Sequence, residues 1–177
     1  MGREFSYLKR DTLERKLVGE IIARFEKAGL SIVKMRKGRI SPKLADLLYE
    51  DSEEQLNGMG GKTLSSLSEK EVMGIFGTTK PYEIGKQLNS WNKKTATSTE
   101  VIAMVLEGPG DDVPARVRTL IGKTDPSKAD KGTIRGDYAD DSIYKATVEK
   151  RSCRNLVHAS DPARAELEIK LFEENFF

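Results

Sequence analysis

The sequence predicts an α/β fold of the α+β kind, in which one small antiparallel sheet carries its helices on one face. Three observations point there. Strand and helix signals follow one another as β-α-β and then as β-α-β again. The strand candidates are short and rich in apolar or β-branched residues, whereas the helix candidates between them are amphipathic. With 177 residues, 37% hydrophobic and 33% charged, the chain suits one domain with a single core and room for inserted segments.

Phe5 to Lys9 opens the series as a short strand. After a polar turn, Leu17, Val18, Ile21, Ile22, Phe25 and Ala28 recur at helical spacing, and Gly29 supplies a C-terminal stop. Leu30 to Lys37 alternates loosely and forms the second strand. Ser41-Pro42 matches an N-cap followed by proline at the first helical position, opening a short helix through Tyr49. Asp51 to Lys80, rich in Ser, Gly and Glu, falls outside this plan and reads as an insertion. Within it, Ser68 and Glu71 form a capping box for a short helix ending near Phe76.

Val101 begins the second unit, where VIAMVLEG is the strongest strand signal in the chain and Gly108-Pro109-Gly110 ends it. Val113 to Ile121 is its helix. Gly122 to Asp137 shows no periodicity, and an irregular loop of that length is more often functional than not. Tyr138 to Arg151, polar and charged, reads as a second insertion. Leu156 to Ala159 is the fourth strand, and Ser160-Asp161-Pro162 starts a terminal helix bearing Leu167, Leu171 and Phe172. This order is that of a ferredoxin-like βαββαβ sheet. The expected organisation is one domain over 1–177, interrupted at about 51–80 and 138–151.

Composition excludes several classes. Thirty Lys and Arg against 28 Asp and Glu give a net charge of +2, too little for a general field that grips nucleic acid or an anionic membrane. Cys153 is the single cysteine, which fits a reducing compartment. MGREFSYLKRDTLERK alternates charges where a secretory signal needs an apolar stretch, and Val101 to Leu106 is too short to span a bilayer. A cytoplasmic protein with no membrane contact is expected.

His158 is the one histidine. A lone histidine in an arbitrary protein is usually structural or simply exposed. Here it ends a short strand just before a helix whose first amides and positive dipole face incoming anions, a suitable place to handle phosphate. Neutral imidazole is a nucleophile near neutral pH, and a carboxylate can orient its second nitrogen. Glu168 is the candidate for that role. Upstream, Arg118, Thr124 and Arg135 punctuate the loop LIGKTDPSKADKGTIRGD with guanidinium forks and a hydroxyl, a set able to surround a polyphosphate. On composition alone a solvated basic loop is the better explanation, since most exposed arginines bind nothing in particular.

Two other features carry no chemistry on this reading. Gly58-Met59-Gly60-Gly61-Lys62-Thr63 ends like a phosphate-binding Walker loop, but the required first glycine is Leu56, and it is taken as an insertion turn. Asp111-Asp112 and Asp140-Asp141 lack a second ligand cluster and are taken as solvated loop carboxylates.

The passages VLEGPG, IGKTDP, GTIRGD and NLVHASD occur in the order and spacing of nucleoside diphosphate kinases. KLVGEIIARFEKAGL resembles that family's first helix, and KPYEIGK resembles the segment before its central strand. The resemblance covers Arg3 to about Glu50 and Pro81 to Phe172, apart from the second insertion. It implies that His158 carries the phosphate in a ping-pong transfer between nucleoside tri- and diphosphates, with Ser160 and Glu168 positioning the imidazole. It further implies that Lys9 and Asn155 contact the ribose, that Arg118, Thr124 and Arg135 hold the phosphates, and that Tyr49 is the active-site tyrosine. Tyr82 falls where the family stacks an aromatic ring on the base, which implies broad nucleotide use because every base offers a π-face. Magnesium would arrive on the nucleotide, and a homo-oligomer built from dimers, with a hexamer favoured, is implied.

The chain departs from the pattern in two places. Lys9 is followed by Arg10-Asp11-Thr12 instead of Pro-Asp-Gly, so the turn differs, and Ser152 replaces the apolar residue that completes the base clamp. The altered turn after Lys9 and the two insertions keep a catalytically weak nucleotide-binding scaffold as one alternative. An RNA-binding module on the same sheet is a second, although VIAMVLEG offers no aromatic residue for it.

Overall fold

The computed structural model describes residues Met1–Phe177. Its first half runs β1 (Gly2–Leu8), α1 (Arg10–Glu14), α2 (Val18–Lys27), β2 (Ser31–Arg39), α3 (Pro42–Leu48), α4 (Glu53–Leu64), α5 (Glu69–Phe76) and α6 (Pro81–Ser98). The second runs β3 (Glu100–Gly108), α7 (Val113–Ile121), α8 (Ile134–Tyr138), α9 (Ile143–Val148), β4 (Val157–Ala159) and α10 (Ala165–Asn175). The four strands form one sheet in the order β2-β3-β1-β4, with every neighbouring pair antiparallel.

Burial explains why β3 gave the strongest strand signal. Val101, Ala103 and Val105 point to one face and Met104 and Leu106 to the other, and all five are buried. A strand covered on both sides reads as a continuous apolar run. The crossover helices α2 and α7 cover one face through Ile21, Phe25, Val113, Val117 and Ile121. The sequence predicts helices on one face, but the opposite face is covered too, by α3 and α10, with Leu44, Leu48, Ile169 and Phe172 packed on Phe5 and Tyr7. Helices on both faces remove the open aromatic platform that an RNA-binding module of this fold would need.

Several segments differ from their sequence reading. Gly58 to Thr63 is not a turn but the second half of α4. Its glycine permits a close helix contact: a Cβ at Gly60 would stand 1.9 Å from the Pro81 carbonyl oxygen, and one at Gly85 would stand 2.0 Å from that of Leu56. The partner, α6, is an 18-residue helix that sequence periodicity left unassigned, because it buries Gly85, Asn89 and Ala96 beside its one large buried aliphatic residue, Ile84. The capping box of Ser68 and Glu71 does open α5, which Gly77 ends at φ 70°.

The stretch between Gly122 and Asp137 is not structureless. It contains a 3-10 turn at Pro126–Lys128 and the start of α8, capped by Asp125 and Thr133, both elements too short to show a period. The fourth strand begins at Val157 because Leu156 takes φ 68°, outside strand conformation. A 3-10 turn, Pro162–Arg164, precedes α10. Asp141 is not a solvated loop carboxylate: it is 7% exposed, and Arg151 grips both its oxygens at 2.6 and 3.0 Å. The guanidinium and the Arg154 amide outweigh burial and hold this carboxyl down at about 2. No helix is long and apolar enough to cross a membrane.

Candidate active site

Strand β4 lies against β1 so that His158 pairs with Tyr7 and their side chains share a face. The approach to β4 is clamped by the turn after Lys9. The Lys9 amide and the Thr12 hydroxyl both donate to the Leu156 carbonyl, at 2.8 and 2.7 Å, while the Asp11 carboxylate accepts from the Leu156 amide at 2.9 Å. Asp11 and Thr12 are both buried. Sequence reasoning assigned neither of them a role. The available signal was a pair of short polar side chains directly after a strand, the residue types that bind nearby backbone.

The His158 imidazole is held at Nε2, which lies 2.9 Å from Glu168 Oε2. The Ser160 hydroxyl donates to the same oxygen at 2.8 Å. Glu168 is 3% exposed. Burial alone would raise its carboxyl, but His158, Ser160 and Arg164 outweigh this and leave it below the ordinary carboxylate range. An ionised carboxylate only accepts hydrogen bonds, so the imidazole presents Nε2–H to Glu168 and Nδ1 keeps a lone pair. The Ser160 amide is fixed in turn by Glu4 Oε1 at 2.7 Å. Glu4 is a third neighbour of this site, after Asp11 and Thr12, that the sequence did not single out.

Asn155 joins two clefts beside this histidine. Its Oδ1 accepts from the Lys9 ammonium at 2.7 Å, and its Nδ2 donates to the Thr124 carbonyl at 2.8 Å. On one side, Arg118, Thr124 and Arg135 line an open cleft of about 430 Å³ next to Ala159. Arg118 reaches it from α7 and donates to the Ser160 carbonyl at 3.1 Å. Arg135 uses three donors on the carbonyls of Asn155, Gly122 and Val157, so two of its five N–H groups remain for a ligand. Burial lowers Arg135 to about 10 and Lys9 to about 8, and the proximity of the two cations adds to the Lys9 shift. Both gain from a bound anion.

On the other side, Lys9, Tyr7, Tyr49, Asn92 and Ser152 border a narrow recess. The Ser152 hydroxyl donates to Asn92 Oδ1 at 2.9 Å, tying the segment before β4 to α6. Tyr49 stands edge-on to His158, with ring centres 6.4 Å apart. Tyr82 is the one sequence-predicted residue set apart from the rest. It lies on the first turn of α6, 36% exposed, with the Lys86 ammonium 5.6 Å from its ring centre, and it lines neither cleft.

The family model described as nucleoside diphosphate kinase matches residues 2–57 and 65–176, and the skipped residues fall within α4 and its C-terminal end. A nucleoside diphosphate kinase of Pyrobaculum aerophilum is 44% identical over 168 residues, which is 93% of this chain and 91% of that protein. The crystal structure of an NDP kinase from the same organism superposes with a TM-score of 0.90 at 40% identity, covering 98% of this chain and 97% of that one. A halophilic nucleoside diphosphate kinase from Halobacterium salinarum, solved in complex with CDP, superposes at 0.61 with 30% identity, covering 96% and 86%.

Proposed function

We propose, from the premise that this chain belongs to the nucleoside diphosphate kinase family, that His158 carries the phosphate between nucleotides. The activity is transfer of the terminal phosphate of a nucleoside triphosphate to a nucleoside diphosphate. The observation that carries the assignment to His158 is the bond from Nε2 to a buried, ionised Glu168, because it leaves Nδ1 as the attacking atom.

In the first half, the Nδ1 lone pair forms a bond to the γ-phosphorus as the γ-phosphorus–oxygen bond breaks, and the diphosphate leaves with that electron pair. The Nε2 proton stays on the ring, and Glu168 offsets the positive charge that develops there. In the second half, the terminal oxygen of another diphosphate attacks the phosphorus and the P–N bond returns its electrons to Nδ1. Positioning and charge stabilisation supply most of the acceleration in such a loose transfer. Arg118, Thr124 and Arg135 are assigned to the phosphates, Lys9 and Asn155 to the ribose, and Tyr49 to the transferring group. Tyr82 enters as the base-stacking ring on resemblance alone.

No three His, Cys, Asp or Glu side chains converge in a set that could hold a metal ion. Following the resemblance, the divalent cation is assigned as magnesium carried by the nucleotide phosphates, as part of the substrate. A homo-oligomer built from dimers, with a hexamer favoured, and a cytoplasmic setting complete the reading. Labelled triphosphate with magnesium and no acceptor is expected to leave an acid-labile label that maps to His158 and departs when any diphosphate is added. Label on another residue, or retained by His158→Gln, would refute the assignment.

A further inference from the structure

One buried polar group beside His158 has no part in the transfer as described: the hydroxyl of Tyr7. Tyr7 is 2% exposed, and its ring lies under the imidazole, with centres 4.7 Å apart and planes at 17°. Its hydroxyl is 2.5 Å from that of Tyr49, the one partner it has. Burial holds both phenols above their ordinary range, Tyr7 well above it and Tyr49 at about 12, so each keeps its proton at neutral pH.

Two hydroxyl protons then compete for one oxygen-to-oxygen contact. If Tyr49 donated, the Tyr7 proton would be buried with no acceptor, an arrangement that folded proteins avoid. If Tyr7 donates, its proton is satisfied and the Tyr49 proton is free. Tyr49 borders the recess with Lys9 and stands edge-on to His158, so its free proton is available beside the imidazole. A hydroxyl that accepts one hydrogen bond also becomes a stronger donor in the next.

We propose that Tyr7 is a positioning residue for phosphoryl transfer: by donating to Tyr49 it directs the Tyr49 hydroxyl proton toward a phosphoryl oxygen at His158. This rests on the assignment of His158 as phosphate carrier. The Tyr7 ring serves as the floor of the imidazole and its hydroxyl sets the direction of the Tyr49 donor, and the two roles are separable by one atom.

Tyr7→Phe tests the second role because it keeps the ring and removes the oxygen. On protein confirmed as folded by circular dichroism, kcat and the rate of phosphohistidine formation are expected to fall about tenfold, as when an oxyanion donor loses its aim. KM for the nucleotide should stay within about twofold, since ground-state contacts are intact. Tyr49→Phe should lose at least as much, and adding Tyr7→Phe to it should cost nothing more, because the oxygen that Tyr7 orients is gone. Wild-type rates in Tyr7→Phe or in Tyr49→Phe, or single losses that multiply in the double variant, would overturn the proposal. Failure of the underlying assignment would look different: the parent protein itself would turn over without label on His158.

Discussion

Glu4 sits fully buried in β1 with one carboxyl oxygen on the Ser160 amide and the other without a partner among the protein's groups. Burial pushes this carboxyl up to about 9, the Ser160 amide opposes the rise, and the nearby Glu168 adds to it while Arg118 opposes. The sign of the consequence follows from linkage. Below the ordinary carboxyl value of 4.5, both folded and unfolded chains hold the proton; between there and about 9, only the folded chain does. Stability therefore declines as pH rises across that window. Glu4→Gln keeps a carbonyl oxygen for Ser160 and has no proton to lose. It is expected to melt several degrees above the parent at pH 8, with the gap closing as pH falls to about 4. Equal melting temperatures at pH 8 would show that Glu4 ionises without strain. His158, Glu168, Arg118 and Arg135, proposed to act through charge and reach, could be singled out in the sequence by residue type and spacing. Glu4 and Tyr7 could not, because β-sheet pairing decides what they are buried against, and neither could Asp11, which the turn after Lys9 buries against Leu156.

Between the residue and the fold stands the turn made by α1, which departs from the Pro-Asp-Gly pattern yet grips both polar groups of the Leu156 peptide. Leu156 is held at φ 68°, a conformation that a branched side chain adopts only under constraint. Asp11→Ala leaves the Leu156 amide buried and unmatched, which should cost about 1–3 kcal/mol in urea unfolding. Because the same peptide leads into β4, the rate of His158 phosphorylation should fall as well. Unchanged stability in Asp11→Ala would show that the clamp does not hold this peptide.

The element scale also shows where pattern reading runs out. The βαβ units and the α5 capping box were readable because their signals are local. The α4–α6 pair was not, since its contact is made through Gly60 and Gly85, residues that local propensity counts against a helix. Likewise the 3-10 turn and α8 are too short to carry a period.

At the scale of the whole molecule, the sheet is closed by helices on both faces, but its β2 edge is open. Ser31–Arg39 presents exposed Val33 and Met35, at 41% and 54%, and pairs with β3 alone. An unpaired edge with apolar side chains is a surface that natural proteins usually cover. It supports the proposed assembly from dimers, so light scattering at micromolar concentration should report an oligomer, with a hexamer expected. A monomer at that concentration would contradict the assembly, and a tetramer would contradict the hexamer. We read the chain as one domain with inserted segments at about 51–80 and 138–151. They meet where the Tyr144 hydroxyl donates to Glu71 at 2.8 Å, a contact that separation in sequence concealed.

The central claim, that phosphate passes through His158 Nδ1, is tested most directly by rapid-quench kinetics with labelled triphosphate and magnesium. Phosphohistidine should form at least as fast as steady-state turnover, reach one label per chain, and return to diphosphate at a matching rate, while His158→Gln forms none. Normal turnover without a phosphoenzyme, or full transfer by His158→Gln, would contradict the account.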